Sequence, residues 1–183
     1  MASNPCPATR CPKLEPLLAY LGSLTGRADL DRLAALLGEL DVTGDDLSDW
    51  CAFGDRGYKR NTIARSDWFE LLALCWRSRQ ATPIHDHVGS SCAFRVIEGT
   101  GLEIRFQKTD CGLVAPVGSV EMVRGYVCAA EDDDIHQVVN AQCEHENLIT
   151  LHIYSPALSR INTYDAPGAR TAGAVEGSDA LYA

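Results

Sequence analysis

Apolar residues near the amino end of the chain recur with a helical period. Between Ala28 and Leu40, leucines at positions 30, 33, 36, 37 and 40 line one face of a helix. Asp29 and Asp31 stand at its amino end, where the helix dipole favours negative charge. A shorter helix is predicted from Lys13 to Leu21, and Thr43–Asp46 has the spacing of a capping box that opens a turn of helix. The leucine stripes predict helices that pack against a core.

Short apolar runs separated by turn residues dominate the rest of the chain. They cover residues 68–76, 92–97, 102–106, 120–128 and 148–154. Glu98–Gly101 and Val117–Ser119 punctuate these runs, as tight turns do between antiparallel strands. We therefore expect a mainly β fold, a small antiparallel barrel with N-terminal helices as a cover. From Asp165 onward Gly, Ala, Thr and Ser follow without periodicity, which predicts an irregular tail.

The last predicted strand alternates polar and aliphatic residues. Thr150, His152 and Tyr154 share one face, and Ile149, Leu151 and Ile153 share the other. A polar row that faces into a barrel would line a pocket. The alternative is a polar strand face turned to solvent.

Length and composition favour one domain over residues 1–183. With 183 residues, 46% of them hydrophobic, the chain can bury one substantial core. The helical cover is expected at about 13–55, the barrel at about 58–156 and the tail at about 165–183.

Charge and targeting signals restrict the partners. A net charge of −9 argues against nucleic acid or an anionic membrane surface. No signal peptide is visible at the amino end, and no run approaches the roughly 18 apolar residues of a membrane span. We expect a cytoplasmic protein, in which the eight cysteines are thiols and not a disulfide framework.

Candidate chemistry is concentrated between Pro83 and Gly99. This stretch holds His85 and His87, two of the five histidines, and on a strand both would point to the same face and could bind one metal ion. His136 adds a third histidine in an apolar, strand-like setting. Three neutral imidazoles would leave a divalent ion with its full charge and open coordination positions, and both iron(II) and zinc suit such a set. A pair of surface or hydrogen-bonded histidines is the alternative.

These spacings resemble those of a known family. The first cupin signature, H-x-H-x4-E-x6-G, is present with Cys92 at the glutamate position, and H-x3-N follows at His136. Here the chain resembles the cysteine dioxygenase family of thiol dioxygenases, whose animal members likewise carry cysteine there. Tyr58–Asn61, Leu74–Trp76 and Leu151–Pro156 extend the resemblance over about residues 58–156. It implies a cupin fold with N-terminal helices.

The resemblance also implies a reaction and its residues. Iron(II) on His85, His87 and His136 would add both atoms of dioxygen to the sulfur of L-cysteine, giving cysteine sulfinate. Arg60 would bind the substrate carboxylate as a rigid fork of donors, and Tyr58 would line the same pocket. Members of the family without this arginine commonly carry glutamine and act on mercaptopropionate. We expect a monomer whose partners are a small thiol and dioxygen.

Three further residues complete the predicted site. His152 and Tyr154 match the paired histidine and tyrosine of the family, and Thr150 stands where serine is common. Cys92 and Tyr154 could become joined in a thioether, as in family members with this cysteine, and a buried free thiol that packs as a small hydrophobic residue is the alternative. The chain departs from the animal enzymes at Ser91, where they usually carry histidine, and at the acidic run 131–134, interpreted as a solvated turn.

The sequence leaves rival functions open. The same chemistry could act on 3-mercaptopropionate or cysteamine. A non-catalytic cupin that binds a metal or a small acid is the rival from another class, and a zinc hydrolase or isomerase is the third. His145, in a polar turn, is assigned no role.

Overall fold

The computed structural model describes residues 6–131 and 134–166. Three helices, α1 to α3, and two 3₁₀ turns precede the strands: α1 Pro7–Arg10, α2 Glu15–Gly22, α3 Leu30–Glu39, and the turns Pro12–Leu14 and Asp45–Trp50. The strands are β1 Lys59–Arg65, β2 Glu70–Trp76, β3 Ile84–His85, β4 Ser91–Glu98, β5 Gly101–Lys108, β6 Val114–Met122, β7 Val127–Ala130, β8 His136–Val139, β9 Leu148–Ser155 and β10 Thr163–Tyr164. A mainly β fold with N-terminal helices was expected, and this is the architecture observed.

Helix α3 and the turn at Asp45–Trp50 begin where the sequence places capping residues. The Asp29 side chain accepts a hydrogen bond from the backbone N–H of Arg32 at 2.7 Å, which satisfies a donor left unpaired at the start of α3. Thr43 and Asp46 bond reciprocally, since the Thr43 N–H donates to Asp46 Oδ2 and the Asp46 N–H donates to Thr43 Oγ1. The turn that follows is 3₁₀ rather than α-helical. The helix predicted from Lys13 also starts as a 3₁₀ turn, and its α-helical part begins at Glu15.

Two antiparallel sheets of five strands form the barrel. Their orders are β1-β2-β9-β4-β7 and β10-β3-β8-β5-β6. Alternation along β2 separates two cores: Leu71, Ala73 and Cys75 pack with the helical cover, whereas Leu72, Leu74 and Trp76 pack inside the barrel. The strand β9 lies between β2 and β4, so its inner face lines the interior.

Two sequence-based predictions about the β6 region are wrong. The strand predicted over residues 120–128 is divided, because β6 ends at Met122 and a turn with Gly125 at φ +89° precedes β7 in the other sheet. Val117–Ser119 is not a turn but lies within β6, where a β-bulge shifts the register. The β5–β6 turn falls instead between Thr109 and Leu113.

The predicted turn at Glu98–Gly101 is present and depends on its glycine. Gly99 has φ +77°, and a Cβ there would collide with the carbonyl oxygen of Asn147. Most of the predicted tail, beyond residue 166, lies outside the described residues. In the described ranges no helix is long and apolar enough to cross a membrane, since the longest, α3, has 10 residues.

Ser155 fastens the helical cover to the barrel. Its fully buried hydroxyl accepts from the backbone N–H of Ala28 at 2.8 Å and donates to the carbonyl of Trp68 at 2.7 Å. Because Ser155→Ala leaves both groups unpaired, we expect it to lower the free energy of unfolding by about 1–3 kcal/mol. Urea denaturation measures this loss. Ser23→Ala removes an exposed hydroxyl as a control, and equal losses in both variants would contradict the fastening role.

Candidate metal centre

Three buried histidines converge inside the barrel. His85 ends β3, His136 begins β8, and their Cα atoms are paired across the two strands. The ring centroids of these two histidines and of His87 lie 4.8–4.9 Å apart, and one ligand atom from each ring lies within 4.8 Å of the others. The structure thus brings together the three histidines that the sequence proposed as ligands.

The path by which His87 reaches this cluster differs from the prediction. The strand β3 ends at His85, so His87 is not on the strand that was expected to hold both rings. A turn places it instead, closed by a hydrogen bond from the Ser90 N–H to the carbonyl of His87 at 2.9 Å.

Hydrogen bonds fix the rings of His85 and His136, whereas His87 has no such bond within residues 6–131 and 134–166. His85 Nδ1 lies 3.0 Å from the carbonyl of Pro83, and His136 Nδ1 lies 3.2 Å from Asp134 and 3.3 Å from Glu103. Their Nε2 atoms remain for a ligand. His87 is only 1% exposed, yet neither of its ring nitrogens has a hydrogen-bond partner among the residues that the structure describes. Since an unpaired buried polar atom is costly, this donor set fits a bound divalent metal ion.

Burial and nearby charges shift the pKa values of the three imidazoles in different directions. Burial and the nearby His136 lower the pKa of His85 to about 4, and burial likewise lowers the pKa of His87. Burial also acts to lower the pKa of His136, but Asp134 and Glu103 outweigh it and raise that pKa to about 9. The cluster therefore combines two imidazoles that stay neutral, those of His85 and His87, with that of His136, whose ring contacts two carboxylates.

The two carboxylates behind His136 were missed in the sequence. Glu103 is fully buried on β5 and also accepts from Arg105 Nε at 3.0 Å. Asp134 belongs to the acidic run interpreted as a solvated turn, and for this residue the interpretation is wrong, because it contacts His136. Contacts to a metal-binding histidine hold the ring in position and increase its basicity. The sequence carried no local signal for either contact.

The polar row predicted on β9 faces inward. Every residue of β9 is buried, so the alternative of a solvent-facing polar face is wrong. His152 Nε2 lies 3.0 Å from Thr150 Oγ1, which also accepts from Trp76 Nε1 at 3.3 Å. The hydroxyl of Tyr154 lies 3.5 Å from His152 Nδ1, and Phe94 stacks on the imidazole of His152. These contacts fix both rings beside the histidine cluster.

Cys92 lies next to this row. Its Cα is paired with that of Tyr154 across β4 and β9, and its Sγ lies 3.9 Å from His152 Nδ1. Burial raises the pKa of the Cys92 thiol and of the Tyr154 phenol, so both retain their protons at neutral pH.

Arg60 brings a positive charge to the same interior. It lies on β1, and its Cζ is 5.3 Å from the centroid of the Tyr154 ring. The Tyr154 ring in turn lies 5.1 Å from that of His87, so the guanidinium and the histidine cluster flank the same phenol. Tyr58 packs against the inner core, where its ring stacks on Trp76 with centroids 4.3 Å apart.

Asp86, the residue between His85 and His87, is held by hydrogen bonds to the end of the chain that the structure describes. Its carboxylate accepts from the N–H and the side-chain amide of Asn162, both at 3.0 Å, and from the hydroxyl of Tyr164 at 2.5 Å. These partners lie 76 and 78 residues further along the chain, which is why sequence reasoning missed them.

Comparisons with known proteins agree with this geometry. Residues 10–167 match the family model described as cysteine dioxygenase type I. Cysteine dioxygenase type 1 of Homo sapiens is 27% identical over 141 residues, covering 75% of this chain and 70% of the human protein. The Danio rerio protein of the same name is 27% identical over 160 residues, covering 83% of this chain and 79% of its own.

A solved structure shows the same fold. It is an uncharacterized conserved protein with a double-stranded beta-helix domain from Klebsiella pneumoniae, with a TM-score of 0.50 and 14% sequence identity. The match covers 65% of this chain and 94% of that one. The barrel is therefore a cupin, or double-stranded β-helix, fold, as the sequence predicted.

Proposed function

The chain belongs to the cysteine dioxygenase type I family, a premise from which we propose that it oxidises L-cysteine to cysteine sulfinate with iron(II) and dioxygen. Family and fold make it a thiol dioxygenase of the cupin type. The observation that carries the finer proposal is a buried three-histidine cluster whose neighbour Tyr154 also contacts the guanidinium of Arg60.

His85, His87 and His136 would hold the iron. Their imidazoles add no negative charge, so the site favours anionic ligands, and a first-row divalent ion accepts a thiolate readily. When bound there, iron(II) would supply a centre that accepts the substrate thiolate and reacts with dioxygen. The ring nitrogens of buried His87, which have no partner in the described part of the chain, support this assignment.

Arg60 would bind and orient the substrate. A guanidinium donates two parallel hydrogen bonds to a carboxylate, which fixes the direction from which the thiol enters. Burial acts to lower the pKa of Arg60, but the nearby Tyr154, Tyr58 and Glu70 outweigh this effect and raise that pKa, so the group remains charged. The stack of Tyr58 on Trp76 closes the wall beside it.

Tyr154 would hold a proton close to the reacting atoms. Its raised pKa keeps the phenol protonated, and burial keeps the pKa of His152 well below its usual range, so that imidazole stays neutral. Thr150 orients His152, and His152 in turn orients the phenol as a hydrogen-bond donor. The side chains of β9 beside them are all buried.

We further propose that the protein acts as a monomer in the cytoplasm and binds neither nucleic acid nor membrane. The net charge of −9 supports the last point, because both surfaces attract basic proteins. The anionic substrate then depends on the local positive charge of Arg60.

Cys92 and Tyr154 are expected to become covalently joined during turnover. A bond from Sγ to the phenol ring removes two hydrogens, which pass with two electrons to dioxygen. The cross-strand pairing of the two residues supports this reaction. Mass spectrometry of the intact protein should find a fraction lighter by two hydrogens, with a reductant-resistant peptide that joins the two segments. Cys92→Ser is the control, and a wholly unlinked protein after prolonged turnover would contradict the prediction.

Metal analysis beside an oxygen electrode tests the proposed function. We expect iron in the active protein and oxygen uptake in the order L-cysteine, then 3-mercaptopropionate and cysteamine, with cysteine sulfinate as the product. Faster oxidation of 3-mercaptopropionate than of L-cysteine would contradict the proposal that L-cysteine is the substrate. A protein that binds metal but consumes no oxygen with any of the three thiols would reject the activity.

A further inference from the structure

Glu70 is a buried acid beside Arg60 for which the reaction above has no use. It opens β2, and the residue is only 6% exposed. Its Oε2 lies 3.4 Å from Arg60 Nη2, and its Oε1 lies 3.1 Å from Arg65 Nη1. Acids are almost never buried without a partner, and this one has two.

Strand register brings these charges together on the face of the sheet that carries Tyr154. Glu70 is paired with Tyr154 on β9 and with Arg65 on β1, so it shares the inner face with both. A β-bulge between Thr62 and Ala64 lets Arg60 and Arg65, five residues apart, meet the same carboxylate. Without the bulge, strand alternation would place them on opposite faces.

The proposed carboxylate-binding group is thus half of an ion pair. Arg60 and Glu70 have side chains only 13% and 8% exposed, so solvent screens their charges weakly. Arg65 is 44% exposed, and its charge reaches the pocket weakened by solvent. A substrate next to Arg60 therefore meets a fixed negative charge as well as a positive one.

We infer that Glu70 sets the selectivity of the pocket, favouring thiols that carry an ammonium group over thiol acids that lack one. The inference rests on the proposed function and deepens it. A second carboxylate on Arg60 is repelled by Glu70, and an ammonium group is attracted by it. Cysteine carries both groups and offsets the repulsion, 3-mercaptopropionate has only the repelled group, and cysteamine has only the attracted one.

Glu70→Gln tests this inference, because glutamine keeps the shape and removes the charge. Anaerobic calorimetry gives dissociation constants of iron-loaded protein for the three thiols without turnover, and oxygen uptake gives kcat and KM. We expect 3-mercaptopropionate to bind more tightly and cysteamine more weakly, so that their affinity ratio changes by on the order of tenfold or more. Cysteine should change least. Glu121→Gln, the same substitution at an exposed position on β6, should leave the ratio unchanged.

The direction of change separates selectivity from simple positioning. If Glu70 only orients Arg60, both carboxylate-bearing thiols should bind more weakly in Glu70→Gln, and that result would overturn the inference. Glu70→Asp keeps the charge and should keep the wild-type order. Should Glu70→Gln fail to fold, Glu70→Asn supplies a smaller neutral amide for the same measurement.

Failure of the proposed function would look different. A wild-type protein that consumes no oxygen rejects the activity, whereas the anaerobic affinities still decide the role of Glu70. A wild-type protein that oxidises thiols, with the same affinity ratio in Glu70→Gln, keeps the activity and rejects the inference.

Discussion

His136→Ala is expected to weaken iron binding by more than about 100-fold and to abolish measurable thiol oxidation. Loss of a residue that merely supports a metal ligand typically costs 10–100-fold in affinity, and this change would remove a proposed ligand itself. Two neutral imidazoles seldom hold a labile divalent ion tightly. Metal content after dialysis and a competitive chelator titration measure the loss. The same result is expected for His85→Ala and His87→Ala.

His145→Ala is the matched control for this experiment. His145 is an exposed histidine in a turn, with φ +72°, and contributes nothing to the cluster. The His145→Ala variant should retain the iron content and the thiol oxidation activity of the wild type. Full iron occupancy and activity in His136→Ala would show that the three-histidine assignment is wrong.

Arg60→Gln should reduce kcat/KM for L-cysteine by roughly ten- to over a hundredfold and change cysteamine oxidation much less. A hydrogen bond to a charged group contributes about 1.5–3 kcal/mol. Of the two substrates only cysteine has a carboxylate, so only cysteine loses this bond when Arg60 is replaced. Parallel kinetics with the two thiols measure the difference.

Lys59→Gln controls for the loss of a positive charge on β1. Lys59 is exposed and lies on the opposite face of the strand from Arg60, so neither thiol should be affected. Equal losses for cysteine and cysteamine in Arg60→Gln would show that Arg60 supports the fold and does not bind the carboxylate.

Local pattern was enough to predict much of the fold. Alternation along β9 identified the inner face that carries His152 and Tyr154, and Asp29 was read correctly at the start of α3. Such features depend on neighbouring residues alone. The strand predicted over residues 120–128 failed for the converse reason: its apolar residues continue across Gly125, and only pairing with distant strands divides it between two sheets.

The residues of the candidate site were likewise only partly predictable from the sequence. The three histidines could be proposed from their spacing, and Arg60 from the motif around it. Glu70, Glu103 and Asp134 could not, because a carboxylate in a sequence resembles a solvated charge until the fold supplies its partner. Arg65 illustrates the point, since a β-bulge decides the face of β1 on which it lies.

The link from Asp86 to Asn162 and Tyr164 has a consequence for how the protein matures during synthesis. A ribosome releases the chain from its amino end, so His85 and His87 emerge long before the residues that fasten the segment between them. β9, which β2 and β4 both require as a neighbour, also emerges late. Pairings so distant in sequence make folding slow. We therefore expect the nascent chain to gain its full affinity for iron only after Tyr164 has left the ribosome, which makes metal loading one of the last steps of maturation.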